Sequence, residues 1–254
     1  YVINLERSPE RRAWMEAELA RAGVDGIFVR AVDGRRFGER CPQSSLSKAE
    51  TALALSHRKA WRIFLASGAE HAVVLEDDVH LGRDFKPILA LDWKRWEFDA
   101  VKLETLFHKA WHSRRGVAAG ARKLHRLGAE HLASAGYLIS RAGARKMLAV
   151  TRPVVEPVDH VLFGRGAMED GRFVALQLVP AIVVQDGLHP NPTVRRELAS
   201  TLHEDDRKRL AAQSRHDKPR GFHRLKREVR RIGDQLRRWF RLAPTMHRRR
   251  IPWQ

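Results

Sequence analysis

Short apolar runs alternate with stretches that carry helix start and stop signals, and this alternation limits the fold more than any other feature of the chain. "YVINL" reads as a buried strand. The segment after it opens on Ser8-Pro9 and closes on Gly23, residues suited to a helix N-cap, a first helical position and a C-terminal stop. "GIFVRAVDG" predicts a second strand running into a turn at Asp33-Gly34. Ser47, with Glu50 three residues on, forms a capping box for a longer helix that Gly68 ends. "HAVVLEDDV" and "FDAVKLE" follow as strands, "HLASAGYLISRAGARKML" as strand then helix with Ser140 at the cap, and "FVALQLVPAIVV" as late strand material. Strands alternating with helices predict an α/β fold with a mixed, mostly parallel sheet flanked by helices. Residues 105–127 carry several bases and no clean period, so a loop is expected there.

Charge divides the chain. From Arg207 to the end there are 17 Lys and Arg against 3 acids, whereas residues 1–206 hold 31 against 27. The expected organisation is a near-neutral domain over residues 1–200 and a basic helical tail over 201–254. At 254 residues the chain is long enough for a sizeable core. The single cysteine, Cys41, excludes an internal disulfide framework and suits a reducing, cytoplasmic setting. No secretory leader pattern and no run of about 18 apolar residues is found. Tyr1 falls directly into a strand pattern, so further residues are expected upstream.

The acids Glu76, Asp77 and Asp78 close an apolar run. Adjacent carboxylates repel, and burial worsens the repulsion, so solvent, bases or a cation must compensate. In an open α/β sheet such a strand end faces the ligand edge. If strand geometry continues, Glu76 and Asp78 share one face and Asp77 takes the other. Two alternate oxygens can then hold a hard divalent cation, with water or phosphate completing its shell. A solvated acidic turn is the plain alternative, and spacing leaves both open. Arg7, Arg11 and Arg12 stand at a predicted helix start, where anions bind, although a solvated basic face would explain at least one of them. Glu50 reads first as a cap, and Ser56-His57 as core polar residues or site residues. Asp159 follows two prolines and suits either a helix cap or a general base. His189, in a loop after a strand, is a candidate metal ligand. Walker-type and GxGxxG loops are absent, as is an ordered Ser-His-Asp set.

Taken in order, "VINLERSPERR", "AVDG", "LSKAETALALSHRKAW", "VVLEDDV", "FDAVKLE", "SAGYLISRAGARKML" and "PVDHVLF" resemble glycosyltransferase family 25. That family comprises lipopolysaccharide-biosynthesis enzymes and also includes collagen galactosyltransferases. The resemblance covers roughly residues 2–163. It implies a GT-A-like fold, a UDP-sugar donor and a divalent metal such as Mn2+ at a DxD-like motif, here Glu76-Asp77-Asp78. It further implies inverting transfer of a hexose, galactose in the first instance, to a lipopolysaccharide or related surface-glycan hydroxyl. On that basis Asn4, Leu5, Arg7, Arg11, Asp33, Glu50, His57, Glu76 and Asp77 are expected at the donor, with Glu76, Asp78 and His189 at the metal and Asp159 as base. Two departures stand out. The first acid is Glu rather than Asp, and Thr51-Ala52-Leu53 replaces a glycine-cysteine pair frequent in the family.

The tail supports a reading of another class, a basic binding module for nucleic acid or anionic membrane with the α/β part as scaffold. Phe222, Leu225, Val229, Ile232, Leu236, Trp239 and Phe240 recur at spacings of three and four, with Lys226, Arg227, Arg230, Arg231, Arg237 and Arg238 between them. A basic amphipathic helix of this kind suits an anionic membrane surface, and it is too cleanly striped for nucleic acid. Packing of the stripe on the domain is the alternative. Combined with the resemblance, it places the chain at the inner face of the cytoplasmic membrane, acting on a glycolipid. Metal-dependent phosphoryl or nucleotidyl transfer is the competing enzyme reading.

Overall fold

The computed structural model of the protein describes residues 1–37, 46–169, 172–196, 198 and 242–254. The first half runs β1 (Val2–Asn4), α1 (Pro9–Ala22), β2 (Phe28–Arg30), α2 (Lys48–Ala66), β3 (His71–Glu76), β4 (Val79–Leu81), α3 (Phe85–Leu89) and β5 (Ala100–Lys102). Then come β6 (Lys109–Ser113), β7 (Val117–Ala119), β8 (Arg122–Arg126), β9 (Gly136–Ser140), α4 (Arg141–Val150), α5 (Val158–Phe163), α6 (Arg165–Glu169), β10 (Ala175–Val179), β11 (Val183–Gln185) and β12 (Met246–Arg250).

Eight strands form one sheet in the order β2-β1-β3-β9-β5-β10-β8-β7. Three pairings are parallel, β1 with β2, β1 with β3 and β5 with β10. The other four are antiparallel. The sheet is therefore mixed, as expected, but not mostly parallel. The reason lies in residues 105–127, which form β6, β7 and β8 rather than a loop. After that excursion the chain enters β9 against the direction of its neighbours β3 and β5.

Alternation along the central strands supplies a core on both faces. Val74 of β3, Ala100 of β5 and Tyr137 and Ile139 of β9 pack with Trp61 and Phe64 of α2, Met147 of α4 and Phe163 of α5. Leu75, Val101 and Leu138 face the other way, towards Met15 and Leu19 of α1 and Phe85 of α3. The helix ends follow the sequence closely. Ser47 and Glu50 form a reciprocal capping box on α2, Ser140 Oγ accepts from Gly143 N–H to cap α4, and Gly23 closes α1 at φ 65°. Ser8 occupies the N-cap position of α1, but its side chain makes no capping hydrogen bond.

The predicted tail helix, residues 222–240, lies outside the described residues. The end of the chain is described, and it packs on the domain instead of standing apart as an appendage. β12 pairs with β6 from Met246↔Ser113 to Arg250↔Lys109. Ile251 is fully buried in the core, its carbonyl accepts from Thr105 Oγ1 at 2.7 Å, and the Gln254 carbonyl accepts from Arg122. The described residues 242–254 are therefore part of the packed domain. Ile251→Ala is expected to lower the free energy of unfolding by about 2–5 kcal/mol, the usual cost of emptying a buried aliphatic site. Urea denaturation followed by circular dichroism measures it; a loss below about 0.5 kcal/mol would mean that the C-terminal segment is peripheral.

Candidate active site

Strand direction determines what meets at one sheet edge. β1, β2 and β3 are mutually parallel, and β5 runs with them because each of β3 and β5 is antiparallel to β9. Their carboxyl ends, together with the start of β9, therefore share an edge, where ligands of open α/β sheets bind. Residues 5–7 follow β1, residues 31–33 follow β2, Glu76 ends β3, and Glu104 lies just beyond β5.

A cavity of about 540 Å³ opens on this edge, lined by residues that include Leu5, Arg7, Val32, Asp33 and Lys59. Its size suits a small-molecule site. Arg7 Nε donates to Asp33 Oδ2 at 3.0 Å. Burial pushes the Asp33 carboxyl up, but hydrogen bonds from Arg35 N–H and Arg7 outweigh it and hold the group below the usual carboxylate range. Ser56 Oγ, deep on α2, accepts from Val32 N–H at 2.8 Å and donates to Ala52 O, so it fixes this wall from behind.

The acid turn lies next to the cavity strands. Strand geometry stops at Glu76, so the expected alternation fails. Asp77 and Asp78 instead share one guanidinium, with Arg11 Nη2 at 2.9 Å from Asp77 Oδ1 and 2.7 Å from Asp78 Oδ2. Arg11 thus neutralises both carboxylates from the buried face of α1. Arg12 lies over the Phe28 ring and pairs with Glu16, as a solvated face would. Asn4 Nδ2 donates to Asp77 Oδ2 at 2.7 Å and to Ser8 O, so Asn4 orients the turn. Glu50 is engaged in the capping box.

Glu76 points to a buried polar chain. Its Oε1 accepts from Ser134 Oγ at 3.1 Å and lies 3.7 Å from His57 Nε2. His57 Nδ1 contacts Tyr137 Oη at 2.8 Å, and Trp61 Nε1 donates to the same oxygen at 2.8 Å. Burial pushes Glu76 up, yet His57, Ser134 and Arg11 more than reverse this and keep it lowered. Asp78 differs. Burial and then the Glu76 charge push it up to about 7 against the pull of Arg11, and its Oδ1 is buried with no hydrogen-bond partner. A buried carboxylate oxygen left open is costly unless a further positive partner binds it. Asp78 therefore fits a cation ligand, and the Glu76 carboxylate stands two residues away. His189 is brought towards the turn by a backbone bond from Asp186 N to Asp78 O, 2.8 Å. It packs against His80, with ring centroids 4.5 Å apart, and Asn191 engages its Nδ1. Glu76, Asp78 and His189 do not form a tight three-ligand cluster among the described residues; any shell here would rely on oxygens brought by a ligand.

Asp159, the candidate base, sits in the first turn of α5 and does not cap it, since Pro157 holds the N-cap position. Its Oδ2 accepts from Ala133 N–H at 3.1 Å and its Oδ1 from His160 N–H at 3.0 Å. The next residue, Ser134, holds Glu76, so one loop joins base and acid turn. Two residues that organise this loop, Lys102 and Glu104, carry only a strand signal in the sequence. Lys102 Nζ, fully buried, donates to Leu132 O at 2.9 Å, to Ala133 O and to Glu104 Oε1 at 3.1 Å. It fixes the loop where Ala133 adopts φ 81°. Burial pushes Lys102 down and Glu104 up, each opposed by the other's charge. A Lys and a Glu two apart inside an apolar run were the available signal.

Residues 1–162 match the family model for glycosyltransferase family 25 (LPS biosynthesis protein). A lacto-N-neotetraose biosynthesis glycosyltransferase LgtB of Neisseria gonorrhoeae is 34% identical over 92% of this chain and 91% of its own length. An LgtE protein of the same description from Neisseria meningitidis serogroup B is 32% identical over 73% of each chain. Among solved structures, the inositol-1-phosphate CTP transferase from T. maritima aligns over 72% of this chain and 67% of that one. Its identity is 14% and the TM-score 0.38, too distant to bear on the chemistry. The chain belongs to glycosyltransferase family 25 and is a glycosyltransferase.

Proposed function

We propose that this enzyme transfers a hexose, with galactose the first sugar to test, from a UDP-sugar to a hydroxyl of a lipopolysaccharide or related surface glycan, with inversion. One observation carries the reading: a cavity of nucleotide size and an acid turn with an unpartnered buried carboxylate oxygen lie on the same sheet edge. Relatives named for lacto-N-neotetraose biosynthesis support a glycan acceptor.

In this reading Leu5, Arg7 and Asp33 receive the nucleoside end of the donor. Asp78 with Glu76 would hold a divalent cation such as Mn2+, and His189 stands behind the same turn. A bound cation would stabilise the negative charge of the departing diphosphate. Arg11 and Asn4 hold the turn rigid while the charge changes. Asp159, fixed by the Ala133 and His160 amides, takes the proton of the attacking hydroxyl. Lys102 keeps that loop in register. The test is a thermal-shift screen of nucleotide sugars with and without Mn2+. UDP-hexoses should raise the melting temperature only with metal; stabilisation by no nucleotide sugar, or an equal shift after chelation, counts against the reading.

We also propose that the basic segment after residue 206 holds the enzyme to anionic membrane at the cytoplasmic face, through the stripe read over residues 222–240. Each basic residue near such a surface contributes on the order of 1 kcal/mol. Among the described residues no helix is long and apolar enough to cross a membrane. Replacing Arg230, Arg231, Arg237 and Arg238 by Gln should reduce co-sedimentation with anionic vesicles and spare the fold. Unchanged co-sedimentation would remove the segment from this role.

A further inference from the structure

Away from the carboxyl edge, three histidines from three strands meet. His112 of β6, His125 of β8 and His247 of β12 each offer a ring nitrogen within 4.8 Å of the other two. Strand register produces the meeting: His247 lies directly opposite His112 in the β12–β6 ladder, and a bridge from His112 to Leu127 brings the end of β8 alongside. His112 and His125 are buried and His247 is partly exposed.

One pair of ring nitrogens already stands at the spacing of a ligand shell, and the third lies within 4.8 Å of both. His247 Nε2 lies 3.1 Å from His112 Nδ1. The Ser113 carbonyl oxygen is 3.3 Å from His112 Nδ1 and 2.8 Å from His125 Nδ1. Ligands on a tetrahedral ion with bonds of about 2.05 Å stand roughly 3.3 Å apart. The charged side chains that act on the cluster, Arg249 and Arg114, are cationic. A shell of imidazoles without a carboxylate is a poor site for a hard ion such as Mg2+ or Ca2+ and a good one for a borderline ion.

We infer that His112, His125 and His247 bind one divalent transition-metal ion of the zinc type, which fastens the C-terminal strand β12 to β6 and β8. This site is separate from the acid turn, and its metal has no part in transfer.

Untagged full-length protein, stripped with chelator, is reloaded with zinc, desalted and analysed for metal, for thermal midpoint and by zinc K-edge absorption fine structure. A first shell containing three imidazoles is expected in the wild type. His247→Gln should weaken zinc at least about tenfold, since even an outer partner of a metal-bound histidine matters by that factor. It should also remove the zinc-dependent rise in midpoint. The fine structure needs no variant, so the inference stays testable if His247→Gln folds poorly. Absence of bound zinc, an oxygen-dominated shell, or zinc retained by His247→Gln would each overturn it.

Discussion

Asp78→Asn should reduce transfer by roughly three orders of magnitude while the protein remains folded, because under the proposed function it removes a metal ligand and with it several kcal/mol of transition-state stabilisation. The substitution keeps the side-chain volume, and Arg11 retains its 2.9 Å contact with Asp77, so the guanidinium is not left unpaired. The buried, unpartnered Oδ1 is the atom whose chemistry changes. Steady-state kinetics with saturating Mn2+ gives the result, and binding of UDP should lose its metal dependence in parallel. An Asp78→Asn enzyme with near wild-type turnover in the presence of chelator would assign the acids a purely structural role.

Asp159→Asn should lower kcat by about 10²–10⁴, the usual contribution of a positioned general base, and leave KM for the donor nearly unchanged. Asparagine preserves one carbonyl acceptor for the Ala133 or His160 amide, so the loop that also holds Glu76 through Ser134 should stay in place. The split between kcat and KM separates the two roles open to this residue. Collapse of donor affinity with kcat preserved would move Asp159 into the donor pocket and leave the base to be found elsewhere.

The parts of the fold that could be read from sequence are those with local chemical causes. The Ser47-Glu50 capping box, the Ser140 cap and the Gly23 stop each depend on contacts within a few residues. The acid turn was legible because an apolar run ended in three carboxylates, and its place at the ligand edge follows from parallel β1, β2 and β3. Strand direction was not legible, since no local pattern distinguishes β9 running against its neighbours from β9 running with them. β8, "RKLHR", buries Arg122, Leu124 and His125, so its alternation is carried partly by bases and gives no clean apolar period. β12, "MHRRR", has almost no apolar content and owes its strand form to pairing with β6.

In the site, residue type was visible and partnership was not. Arg11 has the chemistry of a phosphate ligand but lies within reach of both Asp77 and Asp78, a contact across 66 and 67 residues that spacing does not encode. Lys102 and Glu104 read as polar interruptions of a strand. Their role in holding the loop of Ala133 and Ser134 appears only once β5 and β9 are neighbours. The histidine cluster escaped for the same reason, its members being spread over 135 residues and joined by register alone.

Metal-assisted sugar transfer at the shared edge of β1, β2, β3 and β5, the function proposed above, is tested most directly by product analysis. Incubation with UDP-galactose, Mn2+ and a lipooligosaccharide-derived acceptor should yield UDP and a glycan extended by one hexose, its anomeric configuration inverted relative to the donor. Chelation should stop the reaction. Release of UMP with a sugar phosphate, retention of configuration, or equal turnover without divalent metal would contradict the account.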